Sequence, residues 1–145
     1  MELSVLSFPV SMVRETKQRS SVARRVLIVE QQPSIVEILH WALKLKGYEI
    51  SEVSGKDWID QTLVGDNDYL AIVLDLSIES WFNRDAIIQC LEQRWNTFHT
   101  KKLPLIVLTT VSGTERSLNG YPIVRKPFHI GELLAEVELL ASQNV

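Results

Sequence analysis

The chain has 145 residues, enough for one domain with a sizeable core and too few for two of ordinary size. Hydrophobic residues make up 46% and charged residues 23%, a globular balance that argues against a disordered chain. A net charge of −3 provides no global basic field to recruit nucleic acid, and the lone Cys90 rules out an internal disulfide and suits a reducing compartment.

Residues 1–23 read as a flexible tail. Arg14, Lys17, Arg19, Arg24 and Arg25 crowd this end without interleaved aromatics, the pattern of a solvated arm more than of a nucleic-acid site. Met1–Val13 is fairly apolar but has Glu2 in place of a basic start, Pro9 in its middle and no small-residue cleavage site, so it is a poor signal peptide. No stretch approaches the roughly 20 apolar residues of a membrane span, and a cytoplasmic protein without membrane contact is expected.

From residue 24 to residue 145 apolar runs alternate with amphipathic stretches, the pattern of strand and helix units around a parallel sheet. Val26–Val29 is a continuous apolar run suited to a strand covered on both faces. Pro33 and Ser34 open a helix whose Ile35, Ile38, Leu39, Ala42 and Leu45 form one apolar stripe, with Gly47 placed to end it. Tyr48–Val53 reads as the second strand, a weak amphipathic segment around Trp58, Ile59, Thr62 and Leu63 follows, and Leu70–Leu76 reads as the third.

Asp85–Trp95 is predicted helical, with Cys90 as a small buried hydrophobe between Ile88 and Leu91. Leu103–Thr109 is the fourth buried strand. Val111–Gly120 has two glycines and few apolar residues and supports at most one or two helical turns. Ile123–Arg125 is the fifth strand, Lys126 and Pro127 interrupt it, and Ile130, Leu133, Leu134, Val137, Leu140 and Ala141 mark a closing helix.

In an open parallel sheet, ligands gather beyond the carboxyl ends of the strands where the strand order reverses. Glu30, Asp75, Thr109 and Lys126 stand at four such ends. Each alone could cap a helix or sit on the surface, but Asp75 follows a five-residue apolar run, where a solvated carboxylate is not expected. The histidines His40, His99 and His129 have no metal-ligand spacing, and the four tryptophans read as core or interface packing. Trp81 and Phe82, beside the Asp75 loop, form the one exposed-looking aromatic pair.

The fragments VLIVEQQP, IVLDLS, LIVLTT and VRKPF, in this order and spacing, resemble the receiver domain of bacterial response regulators, over about Arg24 to Ser142. The resemblance implies a flavodoxin-like, doubly wound five-stranded parallel sheet of order 2-1-3-4-5, an order the general rule for such sheets itself exemplifies, here with a shortened fourth helix. It implies that Asp75 accepts a phosphoryl group, that Glu30, Asp75 and Gln31 form a weakened Mg²⁺ pocket, that Thr109 and Lys126 engage the phosphoryl group, and that the Lys126–Pro127 bond is cis. It further implies a stand-alone signalling protein in a phosphorelay, charged by a histidine kinase or phosphotransfer protein and acting on a downstream protein by contact.

Several positions depart from the family pattern. Gln31 stands where a second metal-binding acid is usual, Ile123 at the aromatic switch position, and Thr110 where a very small residue is common. Tyr121 lies two residues off the expected aromatic place. Gln31, Ile123 and the short fourth helix favour an alternative, a pseudo-receiver that binds partners without phosphorylation, whereas Asp75, Thr109 and Lys126 favour the phosphoacceptor. An enzyme is not expected: a haloacid-dehalogenase-type phosphatase would want an aspartate where Ser77 stands, and no GxxxxGK[ST] loop occurs.

Overall fold

The computed structural model describes residues 24–53, 63 and 68–143. The predicted tail 1–23 and nearly all of the weak amphipathic segment around Trp58 lie outside the described residues. The elements in chain order are β1 (Arg25–Val29), α1 (Pro33–Leu45), β2 (Glu49–Val53), β3 (Ala71–Leu76), α2 (Ile78–Trp81), α3 (Arg84–Phe98), β4 (Leu105–Thr109), β5 (Ser117–Leu118), β6 (Tyr121–Arg125) and α4 (Ile130–Gln143).

The strands form one sheet in the order β2-β1-β3-β4-β6-β5, with β2, β1, β3, β4 and β6 parallel throughout. The five parallel strands reproduce the expected order. Their apolar runs are continuous because both faces are covered. On one face Leu27, Ile72, Leu74, Leu105 and Val107 pack with Ile88, Leu91 and Trp95 of α3. On the other, Val26, Ile28, Val73, Ile106 and Leu108 pack with Leu39 and Leu43 of α1 and Leu133 and Val137 of α4. The alternation along each strand is the period-two geometry of the pleat.

Local chemistry sets the element ends. Pro33 occupies the first turn of α1, where its missing N–H costs nothing, and Gly47 takes φ +88 just past the helix, a conformation that favours glycine. Ser77 caps α2 by accepting a hydrogen bond from the Ser80 N–H at 3.1 Å.

Three expectations are corrected. The shortened fourth helix is absent: residues 111–120, expected to hold at most one or two helical turns, hold none. That segment ends in β5, which pairs antiparallel with β6 through Leu118↔Tyr121 and Ser117↔Pro122. Asn119 and Gly120, at φ 53 and 86, make the two-residue turn with both φ positive that Asn-Gly favours and that matches strand twist. Arg125 holds the preceding loop: its Nε donates to the Val111 carbonyl at 3.0 Å and its Nη1 to the Glu115 carbonyl.

Cys90 is exposed, not buried. The core-facing residues of α3 are Ile88, Leu91 and Trp95, and at about 100° per residue Cys90 falls on the opposite side. The α1 stripe is also narrower than predicted. Leu39 and Leu43 are buried, whereas Ile38 and Leu45 are exposed, and so is Trp41, expected to pack in a core or interface. No helix among the described residues is long and apolar enough to cross a membrane.

Candidate functional site

The strand order reverses between β1 and β3, and the carboxyl ends of β1, β3, β4 and β6 bring Glu30, Asp75, Thr109 and Lys126 to one rim. Register fixes this: Leu76 lies beside Thr109, and Thr109 beside Arg125. The Lys126 N–H then donates to the Thr109 carbonyl at 2.8 Å. The Lys126–Pro127 peptide is cis, as expected.

The Lys126 ammonium lies 2.7 Å from Glu30 Oε1 and 3.0 Å from Asp75 Oδ1. The Glu30 side chain is 0% exposed, that of Lys126 8% and that of Asp75 17%, so the pair is nearly dry and only Asp75 meets solvent appreciably. Glu30 Oε2 accepts the backbone N–H groups of Gln31 and Gln32 at 3.0 and 3.1 Å. Glu30 therefore secures the turn into α1 with one oxygen, and its other oxygen faces the lysine.

Burial pushes the Asp75 carboxyl above its ordinary range, the Lys126 hydrogen bond pulls it back, and the Glu30 charge pushes it up again. Lys126 is held above its ordinary value: burial opposes its charge, but the bonds to Glu30 and Asp75 outweigh that cost. Two acids share one ammonium, so the ion pair cannot fully satisfy Asp75. A group whose folded pKa exceeds its unfolded value gives stability present below the unfolded pKa and lost as pH rises. Ionised Asp75 therefore destabilises the fold at neutral pH. Asp75→Asn is expected to raise the thermal midpoint at pH 7, with the gain disappearing as pH falls to the ordinary carboxyl value of 3.8. Thermal denaturation of both proteins from about pH 3 to pH 7 checks this sign; a wild-type protein as stable as the variant at pH 7 would refute it.

Two residues behave differently from the resemblance. The Thr109 hydroxyl is fully buried and already engaged: it donates to the Leu76 carbonyl at 2.8 Å and accepts the Val111 N–H at 3.1 Å. Gln31 is exposed, and the amide that reaches the lysine belongs to Gln32, whose Oε1 accepts from Nζ at 3.3 Å. The sequence does not single out Gln32, since residue type alone does not say which of two adjacent amides meets the lysine.

No group of three or more His, Cys, Asp or Glu side chains suited to a metal occurs among the described residues. Magnesium nonetheless needs only one or two carboxylates and keeps several waters. Asp75, the more exposed carboxylate, is an oxygen donor of that kind, whereas Glu30 Oε1 is held by Lys126 and its Oε2 by the N–H groups of Gln31 and Gln32. Such a set fits no more than a weakly held ion.

No protein-family model matches the chain. Among solved structures, it is similar to a response regulator receiver domain protein from Bacillus halodurans, with a TM-score of 0.57 at 23% identity over 80% of this chain and 95% of that one. A response regulator receiver protein from Sinorhizobium medicae gives 0.63 at 14% identity, over 81% and 94% of the two chains. The chain has the receiver fold. A CheY-like response regulator from Mesorhizobium loti adds a TM-score of 0.54 at 22% identity, over 81% of this chain and 98% of that one. Identities this low establish architecture alone. Against the receiver fold, the β5–β6 hairpin stands where the expectation was a shortened helix, and Ile123 packs against the core beside Val107 of β4.

Proposed function

We propose that the protein is a receiver-like signalling module that accepts a phosphoryl group on Asp75 and acts through contact with a partner protein. The observation that carries this is one buried ammonium shared by two carboxylates at the strand-order reversal, with Asp75 the more exposed acid. One Asp75 oxygen attacks the phosphorus of a phosphohistidine, the P–N bond breaks, and the imidazole nitrogen leaves with the electron pair and takes a proton. Lys126 neutralises part of the incoming charge from a fixed position, which costs no reorganisation during transfer. Glu30 keeps that lysine charged. A magnesium ion bound at Asp75 would supply further charge neutralisation.

The alternative, a module that works without phosphorylation, is favoured by the Thr109 hydroxyl, whose one proton is committed to the Leu76 carbonyl and must leave it before it could meet a phosphoryl oxygen. Incubation with acetyl phosphate and Mg²⁺ followed by intact mass measurement separates the two. The expected result is a gain of one phosphoryl group, absent from Asp75→Asn; an unchanged wild-type mass leaves the phosphorylation-independent reading.

A further inference from the structure

The outward face of α1 is apolar and uncovered. Ile38, Trp41 and Leu45 are 53%, 66% and 72% exposed. At about 100° per residue they fall within roughly 60° of one another, on the side of the helix turned away from buried Leu39 and Leu43. Large side chains in a continuous row of this kind mark a contact surface more often than chance exposure.

The place where the described chain begins bears on what covers this row. Arg24, immediately before β1, is fastened to the C-terminal end of α1: its Nε donates to the Gly47 carbonyl at 3.2 Å and its Nη2 to the Lys46 carbonyl at 2.9 Å. Its guanidinium also lies 4.5 Å from the centre of the Tyr48 ring. The preceding residues therefore join the fold beside Leu45, at one end of the row. Those residues divide by composition. Leu3, Val5, Leu6, Phe8, Val10, Met12 and Val13 make an apolar segment, and residues 14–23 make a polar spacer.

We propose that the apolar segment Leu3–Val13 of the same chain docks on the Ile38–Trp41–Leu45 face of α1. The spacer is long enough. Ten residues reach at most about 35 Å when extended, whereas a helix the length of α1 measures about 20 Å. Tethering also selects this occupant over a second copy. A ten-residue covalent link holds the segment at an effective concentration of the order of 1 mM, so at about 10 µM protein the same contact made between molecules is disfavoured about 100-fold. Docking removes apolar surface from water on both partners. It covers α1 directly beyond Pro33 and the Glu30 turn, and leaves the face carrying Ile78 and Phe82 open.

The experiment is hydrogen exchange on the full chain, read at the amides of residues 3–13, from about 10 µM to about 1 mM protein. Exchange at least about tenfold slower than in an unstructured chain, independent of concentration and restored to free rates by Trp41→Ser and by Leu45→Ser, is the expected result. Both substituted positions are exposed, so each variant should keep the wild-type circular dichroism spectrum, and the second stands in if the first does not. Free exchange rates in the wild-type chain overturn the proposal. So does protection that survives both substitutions, and so does protection that rises with concentration alongside a dimer mass, which would assign the face to a second copy.

Discussion

Lys126→Met is expected to lower stability by roughly 3 kcal/mol and to slow phosphoryl uptake on the order of 100-fold. Removing one partner of a buried ion pair costs about 3–5 kcal/mol because the other charge is left without compensation. Here the stranded group is Glu30, whose side chain is 0% exposed. The low end of the range applies because Glu30 Oε2 keeps the N–H groups of Gln31 and Gln32. The loss in rate has a separate origin, removal of a fixed cation from the place where phosphoryl charge arrives. Adding Glu30→Gln separates the two effects. The double variant has no stranded charge and should recover most of the lost stability while phosphoryl uptake stays slow. Urea midpoints and phosphorylation time courses on the wild type and the two variants check both. If the double variant is as unstable as Lys126→Met, the cost lies in lost lysine packing and the electrostatic account of the site is wrong.

The legible part of this molecule was the part where burial is all or none. A strand covered on both faces leaves an uninterrupted apolar run, and the first polar residue after it marks the rim, which places Glu30, Asp75 and Thr109 at one end of the sheet; Lys126 follows Arg125 at the end of a half-buried strand and is placed by the strand end alone. What failed was discrimination between neighbours. Gln31 and Gln32 are chemically identical, and only the backbone path into α1 decides that Gln32 turns toward Lys126. The residues Ile38, Leu39 and Leu45 all fit a generous helical stripe, yet the helix lies on the sheet along the line of Leu39 and Leu43, with Ile35 packed partly against it. Cys90 failed for the same reason, one residue away from Leu91 but on the far side of α3.

The hairpin was a different kind of failure. Asn119-Gly120 is a strong short-range turn signal, but the resemblance to receiver domains sets a helix in this segment as the expectation. Glycine content was read as weakening a helix when it was specifying a turn. Thr109 shows the limit of reading by residue type: a hydroxyl at the right rim is necessary for phosphoryl contact, but its two backbone partners at 2.8 and 3.1 Å could not be seen in the sequence.

Trp95→Ala should cost roughly 3–5 kcal/mol, a large share of the 5–15 kcal/mol that holds an ordinary domain together. Trp95 is 1% exposed, and it is the largest fully buried side chain among the described residues. It packs under β3 and β4 with Leu91 and Leu105, its Nε1 donates to the Lys101 carbonyl at 3.0 Å, and the His99 ring stacks on it with centroids 3.7 Å apart. Alanine would open a cavity, leave the Lys101 carbonyl without this partner and release the turn that leads into β4. Trp95→Phe fills most of the space and loses only the hydrogen bond and some area, so a cost nearer 1–2 kcal/mol is expected. For a chain of this length the alanine variant should melt about 10–20 °C lower. The denaturant slope should stay at its wild-type value, since the surface exposed on unfolding hardly changes. The contrast with Lys126→Met lies in function. Trp95 touches neither Asp75 nor Lys126, so Trp95→Ala measured well below its melting point should take up phosphoryl groups at close to the wild-type rate. A large fall in that rate while the protein remains folded would mean that the packing of α3 against β3 sets the position of Asp75.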